Sequence, residues 1–249
     1  ISIVDGILFA LMLGASESYF GACAVSLGHG DTALALLATL PLFTGATAQA
    51  FTGPLVLWLG SRKRVVLAGA LVQALSHLGL IAVAAFSVQS FWLLLSLIAL
   101  YYVSGMVIVP AWGAWMGALT ETRGRQRYSA LRSTGLSLSM PLARARGGSP
   151  RRACAWLFGV GFLARSASAI MLFHQPDPLP TPRDNLRRVL ARTRSAVRGD
   201  GFRIAVILSV WMFGAHISIP FYAPYMLKTL DLGYDGYALL CAVQLISKA

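Results

Sequence analysis

The chain has 249 residues, of which 57% are hydrophobic and 12% charged, and its formal net charge is +12. Soluble domains carry about 25% charged residues, so a mean hydropathy of +0.67 excludes an ordinary water-soluble core. The composition defines an all-α polytopic membrane protein. Its cations fall between apolar runs, where they face anionic headgroups and set topology, and no nucleic-acid partner is expected.

The first expected span runs from Ile3 to about Ala24 and contains no cation. Its acids are Asp5 at the start and Glu17 inside. A short glycine-containing loop, Ser26 to Asp31, leads into a second span from Thr32 to Leu59, long enough to cross with tilt. Arg62, Lys63 and Arg64 follow at once. Val65 to Phe86 is the third span, Ser87 to Ser90 an uncharged turn, and Phe91 to Leu119 the fourth span. Gly105, Pro110, Gly113 and Gly117 in the fourth span permit close helix packing. A polar loop, Glu121 to Arg127, comes next.

The basic loops follow spans two and four, while the loops after spans one and three hold no Lys or Arg. The N-terminus and the basic loops are therefore expected to be cytoplasmic, in a bacterial inner membrane. A third basic segment, Arg183 to Arg203, carries seven arginines before a further span from Ile204 to about Met226. That parity needs two crossings between Arg132 and Arg183. Cys154 to Phe173 supplies one, with Arg165 inside it. The other falls at about 133–153, where Arg144, Arg146, Arg151 and Arg152 would sit outside, against the rule. The Arg/Gly/Ser/Pro/Ala bias of about 141–153 reads as a damaged segment, such as an out-of-frame stretch. Translation of the coding DNA in the other frames tests that reading. Asn185 to Val197 suits a basic amphipathic helix on the membrane surface. A loop with Lys228, Asp231 and Asp235 follows, and Tyr237 opens an eighth span.

This layout resembles the major facilitator superfamily of transporters. Between spans two and three, Gly53, Gly60, Arg62 and Lys63 match the glycines and cations of the family's loop signature. Leu57 stands where that signature has an aspartate, the acid that in the family helps latch the two halves. Glu121-x-Arg123-Gly124-Arg125 resembles the repeated version after span four, and Gly30-Asp31 echoes Tyr234-Asp235. The resemblance implies two six-helix bundles that rock about a midplane site. It divides the chain into an N-terminal bundle, 1–174, a basic cytoplasmic loop, 175–202, and the start of a second bundle, 203–249. The chain reads as a fragment that needs the rest of that second bundle.

In such a family spans one, four and seven line the cavity, which makes Glu17, Tyr101, Trp112 and His216 candidates for binding substrate or protons. Glu17 lies twelve residues past Asp5, about 18 Å along a helix. An acid at that depth is costly and points to function, unless Ser16, Ser18 or Tyr19 satisfies it or it lies close to the outer headgroups. Asp5 suits the positive end of its helix. Arg165 either faces a cavity or snorkels to the headgroups, and snorkelling is the favoured reading. His77 and Gln49 lie on spans peripheral to the pathway. Trp58, Trp92 and Trp115 fit an interfacial belt. Cys23, Cys154 and Cys241 have no metal spacing and read as small packing residues. No catalytic motif, cofactor motif or metal motif occurs. The expected activity is secondary transport of a small solute, by alternating access and with proton coupling through Glu17. Mixed aromatic and hydroxyl lining fits sugars, drugs or small organic ions alike. Two other classes compete: an accessory or remnant membrane protein, and a membrane-embedded lipid-modifying enzyme.

Overall fold

In the computed structural model, the described residues are 2–119, 150–177 and 225–233, together with 203, 206, 207, 210, 222, 236, 239, 240 and 243. Among them, helices α1 (Ser2–Ser16), α2 (Phe20–Ser26), α3 (Asp31–Gln49), α4 (Thr52–Leu59), α5 (Arg62–Ala85), α6 (Phe91–Leu119) and α7 (Pro150–Phe173) form a bundle. A 3-10 turn, Glu17–Tyr19, joins α1 to α2. Five of the resulting helical stretches are long and apolar enough to cross a membrane.

The polarity of α5 explains why this bundle needs lipid. Its buried face carries Gln73, Ser76 and His77, while Leu71, Leu75 and Leu78 are exposed. Exposed leucines opposite buried amides and imidazoles suit a hydrocarbon solvent and would be wasted in water.

α7 packs on α1 and α5, α5 on α6, and α6 on α3. Two apolar clusters fill the interior. One gathers Met12, Phe20, Leu80, Leu94, Ile98 and Phe158 around Tyr101, and Met226 and Leu227 pack against it. The other gathers Val56, Val66, Ile108, Trp115 and Leu172.

Side-chain contacts at the two ends establish that the helices alternate in direction. At one end Ser168 near the close of α7 meets Asp5 near the start of α1, and Lys63 at the start of α5 meets Gln175 just past α7. At the other, Arg151 at the start of α7 donates to Ser26 O at the close of α2. Leu119 and Pro150, which flank residues 120–149, therefore lie at opposite ends, the parity that a fifth crossing requires. That crossing itself falls outside the described residues. Of the stretch 141–153, residues 150–153 form the first turn of α7. Pro150 fits there because the first helical position needs no N–H.

Two expected spans are not continuous. The second breaks between α3 and α4, at Ala50 and Phe51. Pro54 has no N–H to bridge the break, and its fixed φ suits the first turn of α4. Thr52 pins the restart by donating to Val107 O of α6 at 3.1 Å. The first span breaks at Glu17–Tyr19. Gly60 caps α4 with φ +68°, a conformation that strains any residue bearing a Cβ. Beyond the basic segment, a π-helix at Tyr225–Thr229 carries the chain past the expected end at Met226. Asp231, with φ 48°, lies in the turn that follows.

Candidate functional site

Glu17 occupies the 3-10 turn inside the first span and is half-buried. The turn rotates it out of the α-helical register that α1 would otherwise impose. The hydroxyl of Tyr101, at the middle of α6, donates to Glu17 Oε1 at 2.9 Å. The acid is thus met by a residue 84 positions away. Tyr101 is fully buried. Edge-on contacts with Phe20, His77 and Tyr102, at 5.2, 5.4 and 5.4 Å between ring centres, fix its plane. Such aromatic pairs add about 0.5–1.5 kcal/mol each beyond their burial.

Directly beneath lies His77 of α5, completely buried. Its Nδ1 is 2.7 Å from Gln73 O, and its Nε2 is 2.9 Å from Ser16 Oγ. A carbonyl only accepts, so Nδ1 carries the hydrogen. In the neutral ring Nε2 is then the acceptor, and Ser16 donates to it. Gly161 of α7 faces this pair. A Cβ there would lie 2.9 Å from His77 Nε2 and would also strike Ser16 Oγ. The missing side chain is what lets α7 approach.

A second polar group sits nearer the basic end. Arg165 Nη1 donates to Ser168 Oγ at 3.0 Å, and Ser168 donates to Asp5 Oδ1 at 2.6 Å. The guanidinium also lies 5.1 Å from the Phe9 ring centre. Arg165 is 2% exposed and Asp5 3%. The favoured snorkelling of Arg165 is therefore incorrect. The side chain turns inward, where Ser168, one turn along its own helix, takes one of its N–H groups and links it to Asp5 of α1. Asp5 does lie in the first turn of its helix, as the dipole favours, but it has a side-chain partner as well.

The loop signature forms a third cluster. Lys63 Nζ donates to Gln175 O at 2.6 Å and lies 5.6 Å from the Phe173 ring centre. Ser61 accepts from Arg64 N as the cap of α5 and donates to Asp177 Oδ2 at 2.6 Å. Trp115 is 1% exposed and donates through its indole to Pro176 O. It is a buried anchor and not part of the interfacial belt, whereas Trp58 and Trp92 are 80% and 72% exposed, as a belt requires.

Of the residues expected to line a pathway, Glu17 and Tyr101 come together. Trp112 lies eleven residues further along α6, packed against the second apolar cluster, and His216 falls outside the described residues. Gly53 is in the first turn of α4, while Gly60, Arg62 and Lys63 lie at the loop cluster. His77, Ser16 and Gly161 were missed as a unit, because nothing in residue spacing pairs α1 with α5. Cys23 and Cys154 are joined as a disulfide between α2 and α7, which corrects their reading as packing residues. Two cysteines 131 positions apart carry no local sign of pairing. Cys241 is outside the described residues. Among the described residues no cluster suits a metal ion.

Alternating apolar helices with polar groups turned inward define an integral membrane helical bundle. The description Major Facilitator Superfamily matches residues 6–247, and the chain belongs to that family. It is a membrane transporter in class. No curated protein and no solved structure matches it.

Proposed function

We propose that the chain moves a small solute across the membrane by alternating access and that Glu17 is the group that binds a proton or the cationic part of the solute. One observation carries the proposal: a carboxyl deep in an apolar span, set on a helical break and held by Tyr101 from another span. An acid inside a span is costly and marks a functional site by default. In this reading residues 1–174 form one bundle, 175–202 the connecting loop, and 203–249 the opening of the second bundle. The ends of the bundle carrying Arg62, Lys63 and Arg64 face the cytoplasm, and a bacterial inner membrane fits that charge bias. Solute binding at the midplane then favours whichever tilt of the two bundles closes around it.

The test uses everted vesicles carrying the protein and an acidic lumen, with proton efflux followed by a pH-sensitive dye. A panel of sugars, organic cations and amphiphilic drugs is added in turn. A solute that collapses the gradient through the native protein and fails to do so through Glu17→Gln supports the reading. Full coupled transport by Glu17→Gln eliminates the acid from the mechanism. An accessory protein collapses the gradient with none of the panel.

A further inference from the structure

The break in the first span is held from outside. α1 ends at Ser16, the residue before Glu17. The Ser16 hydroxyl is spent on His77 of α5, and the His77 ring is locked by Gln73 O one helical turn away. Gly161 of α7 leaves the space that both need. We infer that His77 and Gly161 are positioning residues, which hold the Ser16–Glu17 break and so keep the Glu17 carboxyl against Tyr101. This deepens the proposed role of Glu17 and rests on it for its functional meaning.

Three facts point the same way. Ser16 is completely buried. A buried serine in a helix normally returns its hydroxyl to its own backbone, three or four residues back. That is what the buried Ser76 does in α5 and Ser104 in α6. Ser16 instead reaches 61 positions along the chain, at the residue where the α-helix stops. Next, the Nδ1–H to Gln73 bond leaves Nε2 of the neutral ring able only to accept, so the Ser16 hydrogen has one direction. A proton added to His77 turns Nε2 into a donor and reverses that bond. The lock is therefore sensitive to the ionisation of His77. Finally, the same ring touches Tyr101, 5.4 Å between centres, so one imidazole sets both the break and the phenol that meets Glu17. The ionisable groups nearest this region are Tyr101 and Tyr102 on α6, Arg165 on α7, and Glu17 and Asp5 on the first span.

The experiment needs no transported solute. The O–H of a protonated intramembrane carboxyl adds across a C=N bond of dicyclohexylcarbodiimide to give an O-acylisourea, whose acyl group then shifts from oxygen to nitrogen to leave a stable N-acylurea. Its rate at Glu17 is read by peptide mass spectrometry as a function of pH, in the full protein in detergent, with Glu17→Gln as the blank. Ser16→Ala and His77→Leu should each change the rate about fivefold, the factor expected for one lost buried hydrogen bond, and shift the pH profile by the same amount. The double variant should be no worse than either single one. His77→Gln, which still offers Ser16 an acceptor, should stay near the native profile, and Gly161→Ala should behave like His77→Leu. Unchanged profiles in Ser16→Ala and His77→Leu, or effects that multiply in the double variant, overturn the inference. Where no variant gives an adduct, amide exchange over residues 15–20 decides. Equal acceleration in the two single variants supports the lock, and native protection overturns it. Failure here leaves the Glu17→Gln transport test standing, and failure there leaves the positioning geometry standing.

Discussion

At the scale of single residues, polarity located the acid but not its partner. Glu17 was legible because a carboxyl inside an uncharged run is conspicuous. Tyr101 was reached only through family resemblance, and its contact with Glu17 spans 84 positions. Arg165 shows the opposite failure. Its place eight residues before Phe173 suggested escape to the headgroups, yet Ser168 holds it inside and links it to Asp5. Breaking a buried charged group from one side costs about 3–5 kcal/mol, because the other charge stays behind. Arg165→Met should therefore lower the apparent melting temperature in detergent sharply, by the equivalent of about 3 kcal/mol. Removing both charges, Asp5→Leu with Arg165→Met, should recover most of that loss. An equal or larger drop in the double variant would show that the two charges do not depend on each other.

At the scale of elements, spans were easier to read than their interruptions. The fourth span matches α6 from Phe91 to Leu119, since hydropathy and length alone define it. The breaks at Glu17 and Ala50 depend on what neighbouring helices offer, His77 in one case and Val107 O in the other. The loop signature had been a marker of orientation. In three dimensions it fastens the chain that leaves α7, through Lys63 to Gln175 and Ser61 to Asp177. Leu57 supplies no acid, and the carboxylate at this loop comes from Asp177 instead. Asp177→Ala should speed amide exchange at 174–177 several-fold while leaving α1 and α6 unchanged. The bond is exposed, so its contribution to stability is small, about 1 kcal/mol or less. Native exchange at 174–177 would mean that Lys63 and Trp115 hold the segment without it.

At the scale of the whole molecule, charge bias and disulfide position give two independent signs of direction. Arg62, Lys63 and Arg64 mark one end of the bundle. Cys23 and Cys154 lie towards the other, beside the contact of Arg151 with Ser26. Disulfides persist on the oxidising side of a membrane. A membrane-impermeant reductant should open the bond in right-side-out spheroplasts and not in sealed inverted vesicles, read by maleimide labelling of Cys23. The reverse pattern would invert the proposed topology. The composition could announce a membrane protein, but pairing the cysteines required knowing that α2 ends where α7 begins.

That covalent link also dates the assembly of the bundle. Cys23 leaves the ribosome before its partner, which follows 131 residues later. The bond cannot close until Cys154 has reached the end of the bundle where Cys23 lies. A nascent chain arrested before Cys154 should therefore expose a reactive thiol at Cys23, and one arrested well beyond Phe173 should not. Loss of that thiol would serve as a clock for the moment when α2 and α7 meet.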